Sequence, residues 1–308
     1  MDFTIVIPCY NSEKFIAKTI YEIEKQDYPK DKFELIVVND GSSDRTELVL
    51  SKMKNIFSNI KVISNKNQGV SAARNIGINN SSGEYILFVD ADDKINRQAL
   101  KSLRSCIDKY GNKTDIFLYS LKYDFGWFRR RKHHWRDKYL ETGLYNIDEC
   151  IAVLTNVNYC VSSVLAKKEL FDTDLSIHED EEFALRILLY KRNFCFCSRA
   201  EYIYCKNIDN SITNRMLKED DRIIEALKFY KSLMDRYLYN GVLDKYVQRV
   251  IFNDFTWRMK LGCLMREGCE EDYHIVKTIM MKLDDDIIYS NTNIDSSIKK
   301  KFLFIKKC

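Results

Sequence analysis

Tyr85-Ile86-Leu87-Phe88-Val89-Asp90-Ala91-Asp92-Asp93 is an apolar run that ends abruptly in three carboxylates. The five residues before Asp90 are aromatic, aliphatic or β-branched, the composition of a strand buried in the middle of a sheet. Carboxylates crowded at a strand end repel one another unless something cationic compensates them. Hard divalent ions such as Mg²⁺ or Mn²⁺ take oxygen ligands, typically one or two carboxylates completed by phosphate and water. An acidic turn ahead of the helix expected near Arg97 would account for the same residues without a ligand. An isolated Asp-x-Asp does not decide between the two.

Outward from this stretch the same pattern recurs. Ile5-Val6-Ile7 leads into Pro8-Cys9-Tyr10-Asn11, Leu35-Ile36-Val37-Val38 into Asn39-Asp40-Gly41-Ser42-Ser43-Asp44, and Val62-Ile63 into Ser64-Asn65-Lys66-Asn67-Gln68-Gly69. Each polar cluster precedes a helical stretch, Glu13 to Lys25, Thr46 to Met53 and Ser71 to Asn79. Such βαβα alternation implies a parallel sheet with helical crossovers, so the strands end on one edge and ligands bind in the crevice there. The four clusters are expected to converge on one site.

Ile7 to Glu13, Val38 to Asp44, Asn67-Gln68-Gly69-Val70-Ser71-Ala72-Ala73-Arg74-Asn75 and Gly83 to Asp93 resemble, in order and spacing, the signatures of family 2 glycosyltransferases. The resemblance is dense from Met1 to Asn96, thinner to Arg215 and absent beyond. It implies an α/β protein with the GT-A (Rossmann-like) nucleotide-diphospho-sugar transferase fold and a nucleotide-diphosphate sugar, a UDP-sugar, in the crevice. On that basis the Pro8-Cys9-Tyr10 turn packs around base and ribose, Asp40 accepts a hydrogen bond from the base, and Arg74 approaches the base or the phosphates. Asp90 faces the ribose or the metal shell, and Asp92 binds a Mn²⁺ or Mg²⁺ ion bridging the diphosphate. Asn11, Glu13, Asn67, Gly69 and Ala91 complete the donor contacts.

His178-Glu179-Asp180-Glu181-Glu182-Phe183 resembles the Glu-Asp motif that supplies the general base in this family, which makes Asp180 the catalytic candidate. Crowded acidic groups raise a carboxyl pKa towards the range a base needs. The same run suits a helix N-terminus, where acidic residues favour the positive end of the dipole, and both readings can hold together. The family inverts the anomeric centre by direct displacement, so one base and no covalent intermediate are implied. The acceptor would be a glycan or a lipid-linked molecule of surface polysaccharide synthesis.

The balance of 49 basic and 45 acidic residues in 308 gives no sign of a nucleic-acid partner. Ten cysteines without a Cys-x-x-Cys pair, no secretory signal and no bilayer-length apolar stretch suggest reduced thiols in a cytoplasmic protein. Cys195 and Cys197 are expected to share a strand face and be buried structurally. Ile116 to Tyr119, Cys160 to Leu165 and Phe194 to Phe196 read as strands, and Lys167 to Phe171 as a short helix.

Tyr202-Ile203-Tyr204 to Asn210-Ser211-Ile212-Thr213 resembles a family segment near the diphosphate, with two departures. Cys205 precedes the basic Lys206, and Ser162-Ser163 stands where many relatives have Asn-Lys. The basic block Arg129 to Arg136, with Trp127, Phe128 and Trp135, reads as a solvated loop, a phosphate-binding element or a contact for an anionic membrane.

Beyond Arg215, Ile223, Leu227, Tyr230 and Met234, then Val247, Ile251 and Phe255, recur at helical spacing, giving a helical appendage. The tail from Ile298 to Cys308 interleaves lysines with Phe302-Leu303-Phe304-Ile305, as interfacial helices do, which suggests peripheral attachment to the inner face of the plasma membrane. The expected organisation is a transferase domain over 1–214, with a nucleotide half 1–96 and an acceptor half 97–214, then a helical region over 215–308. A sugar-nucleotide nucleotidyltransferase would need a glycine-rich basic loop where Pro8 to Asn11 stands. An inactive scaffold has no use for Asp92 and Asp180.

Overall fold

The computed structural model describes residues 1–124, 131–132, 140–149, 158–205, 219–259, 274, 277–290, 296, 299–300 and 303. The chain divides into two compact units, Met1–Asp209 and Asn210–Cys308.

The first unit begins with β1 (Phe3–Cys9), α1 (Ile16–Glu24), β2 (Phe33–Asp40), α2 (Thr46–Ile56), β3 (Ile60–Asn65), α3 (Val70–Asn79) and β4 (Tyr85–Phe88). These strands lie parallel in the order β3-β2-β1-β4. Every residue of β1 is buried, the mark of a strand covered on both faces. Helix α1 turns Ile16, Thr19, Ile20 and Ile23 to the core. Helix α3 lies directly on β1 because Gly77 has no side chain: a Cβ there would come within 2.3 Å of Val6 Cγ1.

There follow β5 (Lys94–Ile95), α4 (Ala99–Tyr110), β6 (Ile116–Asp124), β7 (Arg131–Lys132), β8 (Gly143–Asn146), β9 (Tyr159–Ser162), α5 (Ser163–Glu169), α6 (Glu179–Lys191) and β10 (Asn193–Cys205). They extend the same sheet as β9-β6-β10-β5, with β9 antiparallel to both β4 and β6. The parallel pattern therefore holds for the nucleotide half, and the complete sheet is mixed.

Three expected boundaries move. The strand expected to reach Leu165 stops at Ser162, opposite Tyr85 where β4 begins. The chain then leaves the sheet as α5, with Ser163 N–H bonded to the Glu84 carbonyl and Val164 76% exposed. The helix expected to start at Lys167 is the second half of α5, ending at Glu169. Phe194 to Phe196 is the start of a 13-residue β10 that runs on through Tyr202 and Tyr204, with a register shift between Cys197 and Glu201. Cys195 and Cys197 are buried in the main core.

In the second unit α7 (Glu219–Tyr237), the hairpin β11 (Leu238–Tyr239) and β12 (Val242–Leu243), α8 (Lys245–Met259) and α9 (Asp285–Ser290) are described. Leu227, Tyr230, Val247, Ile251 and Phe255 are buried, as their helical spacing implies. No described helix is long and apolar enough to cross a membrane. The Arg129 to Arg136 block apart from β7, the Ser211-Ile212-Thr213 element, and the tail from Ile298 apart from 299, 300 and 303 lie outside the described residues.

Candidate active site

The loops after β1, β2 and β3 are joined by hydrogen bonds and the loop after β4 is tied to α3 through Arg74 and to α1 through Thr19, which brings the four polar clusters to one edge. Asn11, at φ 48°, donates its N–H to Ser42 Oγ (2.9 Å) and accepts the Ser43 N–H at Oδ1 (2.8 Å). Ser12 N–H reaches Thr46 Oγ1, and Glu13 N–H reaches Asp44 Oδ2. Asp40, 4% exposed, accepts the N–H groups of Gln68 (2.9 Å) and Gly69 (2.8 Å), one on each carboxylate oxygen. Gly41, at φ 72°, sits so close to the third loop that a Cβ would lie 2.6 Å from Asn67 N.

The expected donor residues in these loops have different surroundings. Glu13 spends its carboxylate on the Arg45 N–H at 2.9 Å, tying loop to loop. Pro8 and Cys9 are buried at the end of β1, whereas Tyr10 is half exposed at the edge. Burial, with Glu47, Asp44 and Asp40 nearby, pushes the Cys9 thiol up to about 12 and keeps it protonated. Asn67 and Gly69 are exposed on the third loop.

The three carboxylates after β4 have different surroundings. Asp93 is 1% exposed and accepts the Tyr202 hydroxyl (2.8 Å) and the Cys205 N–H (2.8 Å). It fastens the loop to β10 and is a structural group. The Tyr202 hydroxyl in turn accepts the Asp90 N–H at 3.1 Å, and Thr19 Oγ1 donates to the Ala91 carbonyl at 2.7 Å. Asp90 remains half exposed and pairs with Arg74. No side chain among the described residues pairs with Asp92. Burial, then the neighbouring Asp90 charge, push Asp92 up to about 6. The spacing of the run could not reveal that Asp93 is consumed internally, because its partners lie on β10.

Arg74 is held between two carboxylates. The guanidinium is buried, with Nη1 donating to Glu179 Oε1 at 2.7 Å and Nη2 to Asp90 Oδ1 at 3.2 Å. It lies 5.3 Å from the Phe171 ring, which stacks on Phe183 at 4.1 Å. Its forked end is thus engaged by protein carboxylates, for the physical reason that an unpaired guanidinium is costly to bury. Glu179, which the sequence reading gave no role towards Arg74, is its nearer partner. Asp180 follows in the first turn of α6, partly buried, with the Tyr159 hydroxyl on its backbone carbonyl at 3.2 Å. Burial, then the charges of Glu179 and Glu181, push its carboxyl up to about 7, against the opposing pull of Arg74 and His178. Such a carboxyl can exchange a proton near neutral pH. His178, at φ 66°, holds Glu181 at 2.8 Å.

Residues 4–172 match glycosyl transferase family 2. The chain belongs to this family. The minor teichoic acid biosynthesis protein GgaB of Bacillus subtilis is 25% identical to it over 95% of this chain and 34% of its own length. The poly(ribitol-phosphate) beta-N-acetylglucosaminyltransferase TarS of Staphylococcus aureus is 38% identical over 40% of this chain and 21% of its own. This chain therefore spans about a third or less of the length of these curated relatives.

The crystal structure of S. aureus TarS 1-349 in complex with UDP-GlcNAc superimposes with a TM-score of 0.79 at 23% identity, covering 100% of this chain and 88% of that one. The mannosyltransferase PcManGT from Pyrobaculum calidifontis, in complex with GDP-Man and Mn²⁺, gives 0.57 at 14% identity, covering 98% and 78%. The fold is that of GT-A glycosyltransferases, as the family 2 signatures imply.

The residues at hand include carboxylates that could hold a divalent ion of the kind bound in PcManGT. Asp90 and Asp92 are neighbouring carboxylates on one loop, and the raised Asp92 has like charge beside it and no cationic side chain paired to it. Among the described residues no group of three or more side chains is disposed to hold a metal alone, so an ion here would draw further ligands from a phosphate-bearing molecule and water.

Proposed function

We propose that this chain transfers a sugar, with inversion, from a UDP-sugar to a hydroxyl of a surface glycan or lipid-linked polymer of the polyol-phosphate kind. The observation that carries this reading is the meeting of two carboxyl environments at one edge of the sheet. The Asp90-Asp92 loop is short of positive charge, and Asp180, pushed up to about 7, is tied to it through Arg74 and Glu179. The match to family 2 and the names of the relatives support the reaction class, and the UDP-GlcNAc complex of a protein of the same fold supports a UDP-N-acetylhexosamine or UDP-hexose donor.

In this reading Tyr10 packs against the base and Asp40 offers the base its remaining lone pairs while holding the third loop in place. Asp92, with Asp90 beside it, would hold Mn²⁺ or Mg²⁺. A divalent cation there stabilises the negative charge that the departing diphosphate gains as the glycosidic bond breaks. Asp180 accepts the proton of the acceptor hydroxyl as that oxygen attacks the anomeric carbon from the face opposite the diphosphate. The test is a panel of sugar nucleotides assayed for thermal protection and for transfer to poly(ribitol-phosphate) or poly(glycerol-phosphate), with and without Mn²⁺. Protection by UDP-sugars that requires Mn²⁺, with transfer to one polymer, is expected; protection by nucleoside triphosphates instead would overturn the reading.

The same reading includes peripheral attachment at the cytoplasmic membrane face through the basic, apolar tail, each lysine near an anionic bilayer contributing about 1 kcal/mol. A chain ending at Ser297 is expected to keep soluble donor hydrolysis and lose salt-sensitive binding to anionic vesicles. Equal vesicle binding by both chains would remove the tail from the proposal.

A further inference from the structure

Arg74 reaches in two directions. Helix α3 starts at Gly69 in the third loop and carries Arg74 one turn in, 3% exposed. From there one arm of its fork takes Asp90, in the loop after β4, and the other takes Glu179, 105 residues further along the chain and next to Asp180. Phe171, packed on Phe183 and Phe88, supplies the surface under the guanidinium. A guanidinium can serve two carboxylates with separate nitrogens held in one plane; an ammonium is a point charge and cannot hold both in the same geometry. Among the described residues Nε is buried with no hydrogen-bond partner, so the orientation is set by these two carboxylates and the ring beneath.

We propose that Arg74 is a positioning residue that sets the base Asp180 against the donor loop, acting through Glu179. The proposal rests on Asp180 being the base. Arg74 acts in two ways: it fixes Glu179, and hence the first turn of α6, relative to Asp90, and it offsets the Glu179 charge beside Asp180. The groups that face Asp180 are Glu179 and Glu181 from its own helix, His178 immediately before it, Arg74 from α3, and Tyr159 from β9.

The experiment compares Arg74→Lys, Arg74→Gln, Glu179→Gln and Asp180→Asn in the full chain, measuring UDP protection, donor KM, kcat and the pH dependence of kcat. Arg74→Lys keeps the charge and loses the two-way grip, so it should fold, retain UDP protection and donor KM, and lower kcat by up to about 10²-fold, the scale of a small misplacement of a reacting group. Arg74→Gln removes a cation that favours ionised Asp180, so the acid limb of kcat should move to higher pH. Glu179→Gln removes an anion and should move the limb to lower pH. A merely structural role would lower activity with the folded fraction and leave both limbs in place, which would overturn the proposal. So would loss of UDP protection in Arg74→Lys, because Arg74 would then be a nucleotide ligand. Near-normal transfer by Asp180→Asn would overturn the base assignment and the proposal with it, whereas unmoved limbs beside an inactive Asp180→Asn would overturn the positioning role alone.

Discussion

The two sides of the crevice are held together by different chemistry. On the donor side, Asn11, Asp40 and Asp44 meet backbone N–H groups and hydroxyls of the adjoining loops. On the base side the links are charged or buried pairs between distant segments: Arg74 with Glu179, and Tyr202 with Asp93, 105 and 109 residues apart. The carboxyl groups register the difference. Burial raises Asp44, yet hydrogen bonds from Thr46, Glu13 and its own backbone outweigh it and leave it below the ordinary carboxylate value. Burial raises Asp180 as well, and there the Glu179 and Glu181 charges add to it. One side is neutralised and set; the other is kept out of balance, which costs stability and is what the proposed role of Asp180 as proton acceptor requires.

The largest break in this comparison should come from Asp180→Asn. Transfer should fall by about 10²- to 10⁴-fold, the usual contribution of a positioned acid or base, with UDP protection intact. The same variant should be more thermostable than the native protein at pH 8. A carboxyl raised in the folded state favours folding at low pH, and that contribution is lost as pH rises from the ordinary value near 3.8 through about 7. Asp180→Asn should therefore flatten the fall in melting temperature over that window. An unchanged slope would place the imbalance elsewhere.

Asp92→Asn comes next. At a UDP-sugar concentration about a hundred times its dissociation constant, binding should stabilise the native protein by about 2.7 kcal/mol, and the Mn²⁺-dependent part of this should vanish in the variant. Wild-type Mn²⁺-dependent protection would remove Asp92 from the ligand set. Tyr202→Phe deletes one hydroxyl that serves both the Asp90 N–H and the Asp93 carboxylate. It should cost about 1–3 kcal/mol, the penalty for leaving buried partners unmet, measured by urea unfolding, and should weaken donor binding alongside. Unaltered donor affinity would show that the carboxylate loop does not depend on β10.

Asp44→Ala should have the smallest effect, about 1 kcal/mol for the lost turn and helix-start bonds, with activity per folded molecule little changed. Because Asp44 is lowered in the folded state, its contribution is present above the ordinary carboxylate value and is lost as pH falls through the folded one. The native-minus-variant difference should accordingly close in acid, the opposite sense to Asp180.

The parallel β1 to β4 core and the convergence of four loops could be read directly because each strand, loop and helix there is contiguous and the strand-loop-helix pattern repeats along the chain. Apolar runs, polar strand ends and helical spacing each report local physics. The same local signals placed Asp92 at a strand end and Asp180 at a helix start. They failed at Cys160 to Leu165, where the strand ends because its partner β4 ends, and at β10, where one strand carries two stretches that read as separate. Nor could they divide the labour among Asp90, Asp92 and Asp93, or show that Arg74 pairs with Glu179. By itself the sequence determined the nucleotide half of the fold, the edge at which chemistry would occur and the residue types available there. Only the tertiary structure decided which carboxylates are consumed in holding the site and which are left raised, because the partners of Glu179 and Asp93 come from segments more than a hundred residues away and the burial that raises Asp92 and Asp180 exists only in the folded chain.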